Sequence, residues 1–246
     1  MKPTTRKTGT REWSDVCYNI GTNCGRRCRY CFANSTKADP GNERLKNPIP
    51  PIPKKRGSAM FPTRHDISPH FLPESLKAIR RLLDGGRRVL IVSKPQMVCI
   101  EAICREFTND KLNILFRFTI GTINQELASL WEPGAPAIAE RIACLKYARE
   151  AGIATSVSME PMLAGTDNAL ATFEAVCPYV TETVWLGKMN KIDERVVQGD
   201  PAVADACARV KELQSDPEIL RLVKALDGHP KVQWKDSIKE VIGRNS

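Results

Sequence analysis

The chain has 246 residues, 42% of them hydrophobic, which is enough for one large α/β domain or two small ones. No run of about 18 apolar residues occurs, which excludes a membrane-spanning helix, and the N-terminus lacks the apolar stretch of a secretory signal, so we expect a cytoplasmic protein with reduced thiols. The net charge of +9 favours a polyanionic partner such as DNA or RNA, although solvated surface lysines would give the same sum.

The first part of the chain leads into a loop that is rich in cysteine. Residues 1–11 are basic and polar and predict a flexible N-terminal tail. Residues 15–20 predict a short strand, and the loop behind it contains Cys24, Cys28 and Cys31 in the spacing C-x3-C-x2-C. Thiolates are soft ligands that hold iron–sulfur clusters or zinc, so these three cysteines are the predicted metal ligands.

The spacing of the cysteines favours an iron–sulfur cluster over zinc. Structural zinc usually takes four ligands, often from two C-x2-C pairs, but the loop has one such pair and no histidine within thirty residues. A [4Fe-4S] cluster held by three cysteines would keep one iron without a protein ligand, and an open position is where a metal site does chemistry. Zinc binding and three unligated buried thiols remain the alternatives.

A proline-rich segment follows over residues 37–57. Five of its residues are proline, which excludes a regular helix, and its basic residues outnumber its acidic ones. Long loops in compact domains tend to be functional or disordered. The segment therefore predicts a surface insertion beside the cysteines that acts as a lid or an anion-binding flap, with a flexible linker as the alternative.

The rest of the chain alternates strand and helix patterns, which predicts an α/β fold with a parallel sheet. After residues 15–20, the predicted strands lie at 58–61, 88–93, 111–119, 153–159 and 183–186. Helices are predicted at 73–83, 97–107, 136–150 and 169–176. Six strands indicate a partial (βα)6 TIM-like barrel over residues 12–190. Residues 191–246 predict a helical C-terminal extension packed on the barrel, with helices at 201–213, 218–226 and 236–242 and a strand candidate at 229–234.

Polar residues stand at the predicted carboxyl ends of these strands, where parallel α/β folds place their sites. Asp66, Lys94, Thr119 and Glu160 all end or follow a predicted strand, as the cysteine loop does. Asp66, its neighbour His65 and Glu160 are candidate catalytic residues, because carboxylates and imidazole bind substrates or move protons. A helix cap, a turn or a solvated side chain is the simpler alternative for each of them.

The cysteine motif and two further stretches resemble a known family. The spacing C-x3-C-x2-C, with Tyr30 just before the last cysteine, resembles the signature of the radical S-adenosylmethionine (radical SAM) enzymes. The stretches Val-Leu-Ile-Val-Ser-Lys at 89–94 and Trp-Glu-Pro-Gly at 131–134 resemble the spore-photoproduct-lyase-like branch of that family. The similarity extends over roughly residues 13–163.

The resemblance implies two cofactors and a type of chemistry. In that family, three cysteines hold a [4Fe-4S] cluster whose free iron binds S-adenosylmethionine. One electron then cleaves this cofactor to methionine and a 5′-deoxyadenosyl radical, which abstracts hydrogen from a substrate. The resemblance implies that Tyr30, Lys94, Thr119 and Leu186 contact S-adenosylmethionine, and that a one-electron donor such as flavodoxin or ferredoxin supplies the electron.

Two features limit what the resemblance implies. Spore photoproduct lyases carry a further cysteine just after the second strand, which donates a hydrogen atom to a substrate radical, whereas residues 61–66 here contain none. The lyase reaction itself is therefore not implied, and the substrate stays open, with DNA or RNA as the candidate. Glu132 and Arg141, which also lie in the resembling stretches, are expected to form a structural ion pair rather than to take part in catalysis.

Two other classes of protein fit parts of the sequence. One is a nucleic-acid-binding module with a structural zinc or iron–sulfur knuckle, and the other is a non-catalytic iron–sulfur redox protein. Further metal ligands near the three cysteines would favour the first class, and the sequence has none there. The alternation of strands and helices with polar strand ends argues against the second. Binding of S-adenosylmethionine would separate both from an enzyme.

Overall fold

The computed structural model describes residues 9–33, 42–197 and 199–245, which form an α/β fold around a parallel sheet. Among these residues, seven strands lie side by side in the order of the chain, and every neighbouring pair is parallel. A short antiparallel ribbon branches off after the first strand. In chain order, the strands are β1 (Val16–Cys17), β2 (Gly21–Thr22) and β3 (Arg44–Leu45) of the ribbon, β4 (Ala59–Phe61), β5 (Val89–Ser93), β6 (Ile114–Thr119), β7 (Ala154–Met159), β8 (Val184–Leu186) and β9 (Val232–Trp234).

Helices connect the parallel strands. Those with buried residues in the main apolar core pack on the outer face of the sheet, and the others form a second apolar cluster with Cys28 and Tyr30. The bounds of the helices are α1 (Leu72–Asp84), α2 (Met97–Glu106), α3 (Gln125–Trp131), α4 (Ile138–Glu150), α5 (Thr166–Val176), α6 (Ile192–Arg195), α7 (Pro201–Leu213), α8 (Asp216–Ala225) and α9 (Asp236–Arg244). In α1, the buried residues Ala78, Ile79 and Leu82 recur at the helical period, so one stripe of the helix faces the sheet. None of the described helices is long and apolar enough to cross a membrane.

The two faces of the sheet differ in chemistry because side chains alternate along a strand. In β6, Phe116 and Phe118 are buried in the apolar core shared with the helices, so Arg117 and Thr119 extend from the opposite face. In β7, whose Ser156 pairs with Arg117 in register, the same alternation puts serines on that second face. The second face is the inside of a partial barrel, and its lining is polar.

The fold class predicted from the sequence is confirmed, and several elements differ in detail. The sheet has seven strands rather than six, because the strand candidate near the C-terminus pairs in parallel with β8 as β9. The strand predicted from residue 111 begins at Ile114, because Lys111–Asn113 forms a 3-10 turn. No helix is predicted from the sequence at α3, although its capping residue Asn124 is a signal: its side chain accepts a hydrogen bond from Leu127 N at 3.0 Å.

The predicted proline-rich insertion is described from residue 42 onward, and its residues 37–41 lie outside the described part. Residues 42–57 are tied to the barrel: β3 pairs with β2, Tyr18 Oη donates to Pro50 O at 2.7 Å, and Arg87 Nη1 donates to Lys55 O at 3.0 Å. Most of the predicted N-terminal tail, residues 1–8, also lies outside. Its last residues belong to a 3-10 turn, Gly9–Glu12, that packs against the sheet through Lys235.

Candidate functional site

The cysteine loop follows β2 at the carboxyl ends of the strands. Cys28 is buried, whereas Cys24 and Cys31 are partly exposed. The chain turns tightly here, because Cys31 N donates to Cys28 O at 3.1 Å and both Asn23 and Arg27 adopt left-handed backbone conformations, with φ of 63° and 51°. The loop thereby folds back on itself and brings its three thiols within electrostatic range of one another.

The segment after α3 supports the loop from behind. Arg29 N donates to Trp131 O at 2.9 Å, and Gly134 N donates to Arg26 O at 2.9 Å. A Cβ atom at Gly134 would lie 2.2 Å from Gly25 O, so this close approach of two backbones requires glycine. The Trp-Glu-Pro-Gly stretch that resembles the family is therefore the platform on which the cysteine loop rests.

Glu132, in the same platform, joins three cationic or polar side chains. Its Oε1 accepts a hydrogen bond from Tyr30 Oη and lies 3.6 Å from Lys94 Nζ, and its Oε2 pairs with Arg141 Nη1. Lys94 Nζ also lies 5.5 Å from the centre of the Tyr30 ring. The predicted ion pair of Glu132 and Arg141 is confirmed. We call Tyr30, Lys94, Glu132 and Arg141 the rim cluster.

Lys94 also faces the cysteines, and its charge is held in place by the anions around it. Burial by itself lowers the pKa of Lys94, but its electrostatic interactions with Cys28 and Glu132 outweigh this effect and raise the pKa above the ordinary value. Burial raises the pKa of Cys24 to about 11 and that of Cys28 to about 12. Metal ligation needs these thiols as thiolates, so bound metal and the neighbouring ammonium would together supply the compensating positive charge.

Asp66 binds the loop to the end of β5 rather than projecting into open space. Its Oδ2 pairs with Arg26 Nε at 2.9 Å and accepts from Lys94 N at 3.0 Å, while Oδ1 accepts from Ile67 N at 2.8 Å and from the Ser93 hydroxyl. All these donors are internal to the protein. The catalytic role predicted for Asp66 stays a prediction, and its contacts favour a positioning role.

His65 is buried and makes both of its hydrogen bonds to the backbone. Nε2 accepts from Ile20 N at 3.3 Å, and Nδ1 lies 2.9 Å from Asp66 O, to which it donates in this tautomer. The ring packs against Phe61 and Phe71, and burial lowers the pKa of His65. A catalytic role for His65 stays a prediction, and its contacts favour a neutral structural side chain.

The remaining predicted site residues lie on β6, β7 and β8. Thr119 is buried at the end of β6, where its carbonyl accepts from Arg141 Nη1 at 3.3 Å. The Leu186 side chain belongs to the apolar core, and its carbonyl accepts from Lys235 N at 2.9 Å. Glu160 Oε2 lies 3.3 Å from Lys235 Nζ, and burial raises the pKa of this carboxyl. The structure thus joins Thr119 to the rim cluster, while Leu186 and Glu160 meet at Lys235 instead.

The donor set of the loop fits an iron–sulfur cluster. Among the described residues, no three side chains of His, Cys, Asp or Glu converge closely enough to share one metal ion. A four-iron cluster does not require such convergence, because each of three cysteines would bind a different iron. Three thiols in one loop, with Lys94 beside them and Arg26 held at the base of the loop by Asp66, provide soft ligands and balancing cations.

The position of Arg26 and two further contacts of Glu132 are not apparent from the sequence. Arg26 is buried and pairs with Asp66, and its Nη2 donates to Gln96 Oε1 at 3.0 Å. Besides the predicted ion pair with Arg141, Glu132 accepts a hydrogen bond from Tyr30 and approaches Lys94. The only signal for Arg26 was an arginine within the cysteine motif. Nothing in the sequence alone brings Glu132 to Lys94, which comes from another strand.

Comparison with solved structures finds similar folds, among them those of spore photoproduct lyase and SuiB. Spore photoproduct lyase complexed with dinucleoside spore photoproduct matches with a TM-score of 0.59 and 14% identity over 99% of this chain and 78% of that one. Streptococcus suis SuiB bound to its precursor peptide SuiA matches with a TM-score of 0.61 and 11% identity over 94% of this chain and 50% of that one. SuiB bound to S-adenosylmethionine matches with a TM-score of 0.57 and 11% identity over 89% of this chain and 49% of that one. The chain thus spans about half the length of SuiB. No protein-family model matches the sequence, and no curated protein matches it significantly.

Proposed function

We propose that this protein is a radical SAM enzyme: it binds a [4Fe-4S] cluster and S-adenosylmethionine and abstracts hydrogen from a substrate held inside the barrel. The observation that carries the proposal is a loop with three cysteines that faces the buried ammonium of Lys94 at the carboxyl ends of parallel strands. The fold supports it, since one similar structure is SuiB with S-adenosylmethionine bound, and another is the lyase for which the resembling branch is named.

Each part of the site would have a distinct task. Cys24, Cys28 and Cys31 would hold the cluster, which, once reduced by a donor such as flavodoxin or ferredoxin, supplies the electron that cleaves S-adenosylmethionine. Lys94, fixed by Glu132, would pair with the carboxylate or a ribose hydroxyl of the cofactor. The Thr119 hydroxyl at the end of β6 would donate to the same ligand. The buried rim would keep water away from the radical.

The substrate follows less directly from the site. A nucleic acid is our candidate, because the chain carries a net charge of +9 and one similar structure holds a dinucleoside. The similarity to SuiB with its precursor peptide makes a peptide the alternative. The absence of a cysteine at residues 61–66 means that a different group, or the cofactor product itself, would return the hydrogen atom.

The experiment that tests the proposal is anaerobic reconstitution with iron and sulfide, followed by dithionite and S-adenosylmethionine, with 5′-deoxyadenosine as the readout. We expect 5′-deoxyadenosine from the wild-type protein and from Cys17→Ala, whose exposed thiol lies outside the loop, and none from Cys28→Ala. Zinc in place of iron would contradict the proposal and favour the nucleic-acid-binding module. A bound cluster that neither binds nor cleaves S-adenosylmethionine would favour the redox protein.

A further inference from the structure

A second group of cationic and aromatic side chains lies on the inner face of the barrel. Arg117 extends from the middle of β6, Trp185 from β8, and Trp13 precedes β1. Arg117 Cζ lies 4.7 Å from the Trp13 ring centre and 5.3 Å from that of Trp185, and the two rings meet edge to face at 5.8 Å. Lys235 Nζ approaches the same rings at 4.4 and 5.7 Å. We call these four residues the inner cluster.

The inner cluster has more hydrogen-bond donors than acceptors. Arg117 Nε donates to Ser156 Oγ at 3.0 Å, but its Nη1 is buried and has no hydrogen-bond partner among the described residues. The indole N–H groups of Trp13 and Trp185 are also buried and have no partner in that part of the chain. Both carboxylate oxygens of the neighbouring Glu12 are also buried and make no hydrogen bond among the described residues, although this carboxylate pairs with Lys235. Buried donors are normally satisfied, so the Arg117 Nη1 group and the two indole N–H groups form a donor set suited to an acceptor with several lone pairs.

The two cations of the inner cluster differ in how their charges are balanced. Lys235 Nζ lies 2.7 Å from Glu12 and 3.3 Å from Glu160. Arg117, which is only 5% exposed, forms no ion pair with a carboxylate within the described residues. Burial lowers the pKa of Arg117 to about 10, against a smaller opposing effect of Glu182. A buried cation without a counter-ion is unfavourable, and a bound anion would offset that cost.

The position of Arg117 relates the inner cluster to the proposed cofactor site. Thr119 lies two residues further along β6 and on the same face, which is roughly 7 Å along the strand. A group bound at Arg117 would therefore lie deeper in the barrel than the cofactor held at the strand ends. Under the proposed function, a substrate bound at this depth would face a radical formed at the strand ends.

The Trp13 ring packs against the guanidinium of Arg117. The turn that precedes Trp13, Gly9–Glu12, is fastened mainly by polar contacts: Lys235 Nζ donates to Gly9 O at 3.0 Å and pairs with Glu12, and Cys17 Sγ lies 3.6 Å from Thr10 Oγ1. The ion pair is buried, since the side chains of Lys235 and Glu12 are only 2% and 6% exposed, so the turn holds the Trp13 ring firmly against the guanidinium.

We propose that Arg117, together with the indole N–H groups of Trp13 and Trp185, binds an oxyanion of the substrate inside the barrel. The oxyanion is a carboxylate or a phosphate, because a guanidinium matches the oxygens of both. This inference rests on the proposed function only in taking the bound molecule to be the substrate. The anion site itself is a property of the chain that holds without it.

The test is isothermal titration calorimetry of the anaerobically reconstituted full chain with sodium phosphate and with sodium acetate, at ionic strength kept constant with chloride. S-adenosylmethionine and reductant are left out, so failure of cofactor cleavage cannot affect the result. We expect one of the two anions to bind the wild-type protein, and the stronger one identifies the group as phosphate or carboxylate. Arg117→Met should weaken binding at least about tenfold, whereas Arg88→Gln, which removes an exposed charge, should not change it.

Two conservative substitutions and a second ligand complete the test. Trp13→Phe and Trp185→Phe keep the rings but remove one donor each, so each should weaken binding about two- to tenfold. Arg117→Lys, which keeps the charge without the planar donors, should bind between wild type and Arg117→Met. The proposal is overturned if neither anion binds the wild-type protein or if Arg117→Met binds as the wild type does. Loss of S-adenosylmethionine binding in Arg117→Met, with unchanged anion binding, would also overturn it, because Arg117 would then be a cofactor contact.

Discussion

The rim cluster and the inner cluster lie on the same barrel and contain similar residue types, but their polar groups are satisfied to different degrees. In the rim cluster, one carboxylate, Glu132, binds Tyr30 and Arg141 and approaches Lys94. In the inner cluster, Arg117 has one hydroxyl partner, and no carboxylate pairs with it among the described residues. A complete network fixes geometry, whereas a donor set without its acceptor can receive a ligand. The first cluster therefore holds Lys94 in a fixed position, and the second is suited to receive an anion.

The largest effect is expected when the rim cluster loses its only carboxylate. Glu132→Gln leaves Arg141, which is 1% exposed, and the neighbouring Lys94 without their counter-ion. Breaking a buried pair in this way should lower the free energy of unfolding by about 3–5 kcal/mol. Urea unfolding measures it, with Glu174→Gln on the exposed side of α5 as control. A loss below about 1 kcal/mol would show that the rim does not depend on this charge.

Removal of a charged group from the inner cluster should not lower the free energy of unfolding as it does in the rim cluster. Arg117→Met removes a buried cation that has no anionic partner among the described residues and replaces it with an apolar side chain of similar length. We expect the free energy of unfolding to stay unchanged or to rise by up to about 4 kcal/mol in the same urea experiment. A fall comparable to that of Glu132→Gln would contradict the distinction between the two clusters.

A smaller loss of stability is expected when the close packing beneath the cysteine loop is disturbed and the charges of the rim cluster are kept. Gly134→Ala places a Cβ atom 2.2 Å from Gly25 O, so the cysteine loop must move. Overpacking of this kind should cost about 1–3 kcal/mol of stability, and the iron and sulfide bound after reconstitution should fall with it. Gly243→Ala is the matched control, because a Cβ there meets nothing within 4 Å. Full cluster loading of Gly134→Ala would argue against the platform.

The smallest effect concerns pH and the histidine beneath the loop. Burial lowers the pKa of His65 below 6.5, so the folded chain binds fewer protons than the unfolded chain once the pH falls below that value. Stability should therefore fall as the pH decreases from about 6.5, by at most about 1.4 kcal/mol per pH unit. His65→Gln should reduce this slope, and His70→Gln, at an exposed position, should leave it unchanged. Equal slopes in all three proteins would remove His65 from the account.

The sequence predicts the sheet and the cysteine loop because both depend on patterns of neighbouring residues. Apolar runs such as residues 89–93 became β5, and the three cysteines lie within eight residues. The contacts of Asp66 and His65 could not be predicted from the sequence, because several of their hydrogen-bond partners come from segments distant in the chain. Arg117 did carry a signal, a single charge within the strand Ile114–Thr119, that the sequence analysis did not use. β9 is only three residues long, too short for its pattern to show that it joins the sheet.

The central claim is that the cysteine loop and Lys94 form one site for a cluster and S-adenosylmethionine. Electron paramagnetic resonance of the reconstituted, dithionite-reduced protein, with and without S-adenosylmethionine, tests it most directly. The account predicts a reduced [4Fe-4S] signal that changes when S-adenosylmethionine is added, and no such signal from Cys28→Ala. A cluster signal that S-adenosylmethionine leaves unchanged, or one that persists in Cys28→Ala, would contradict it.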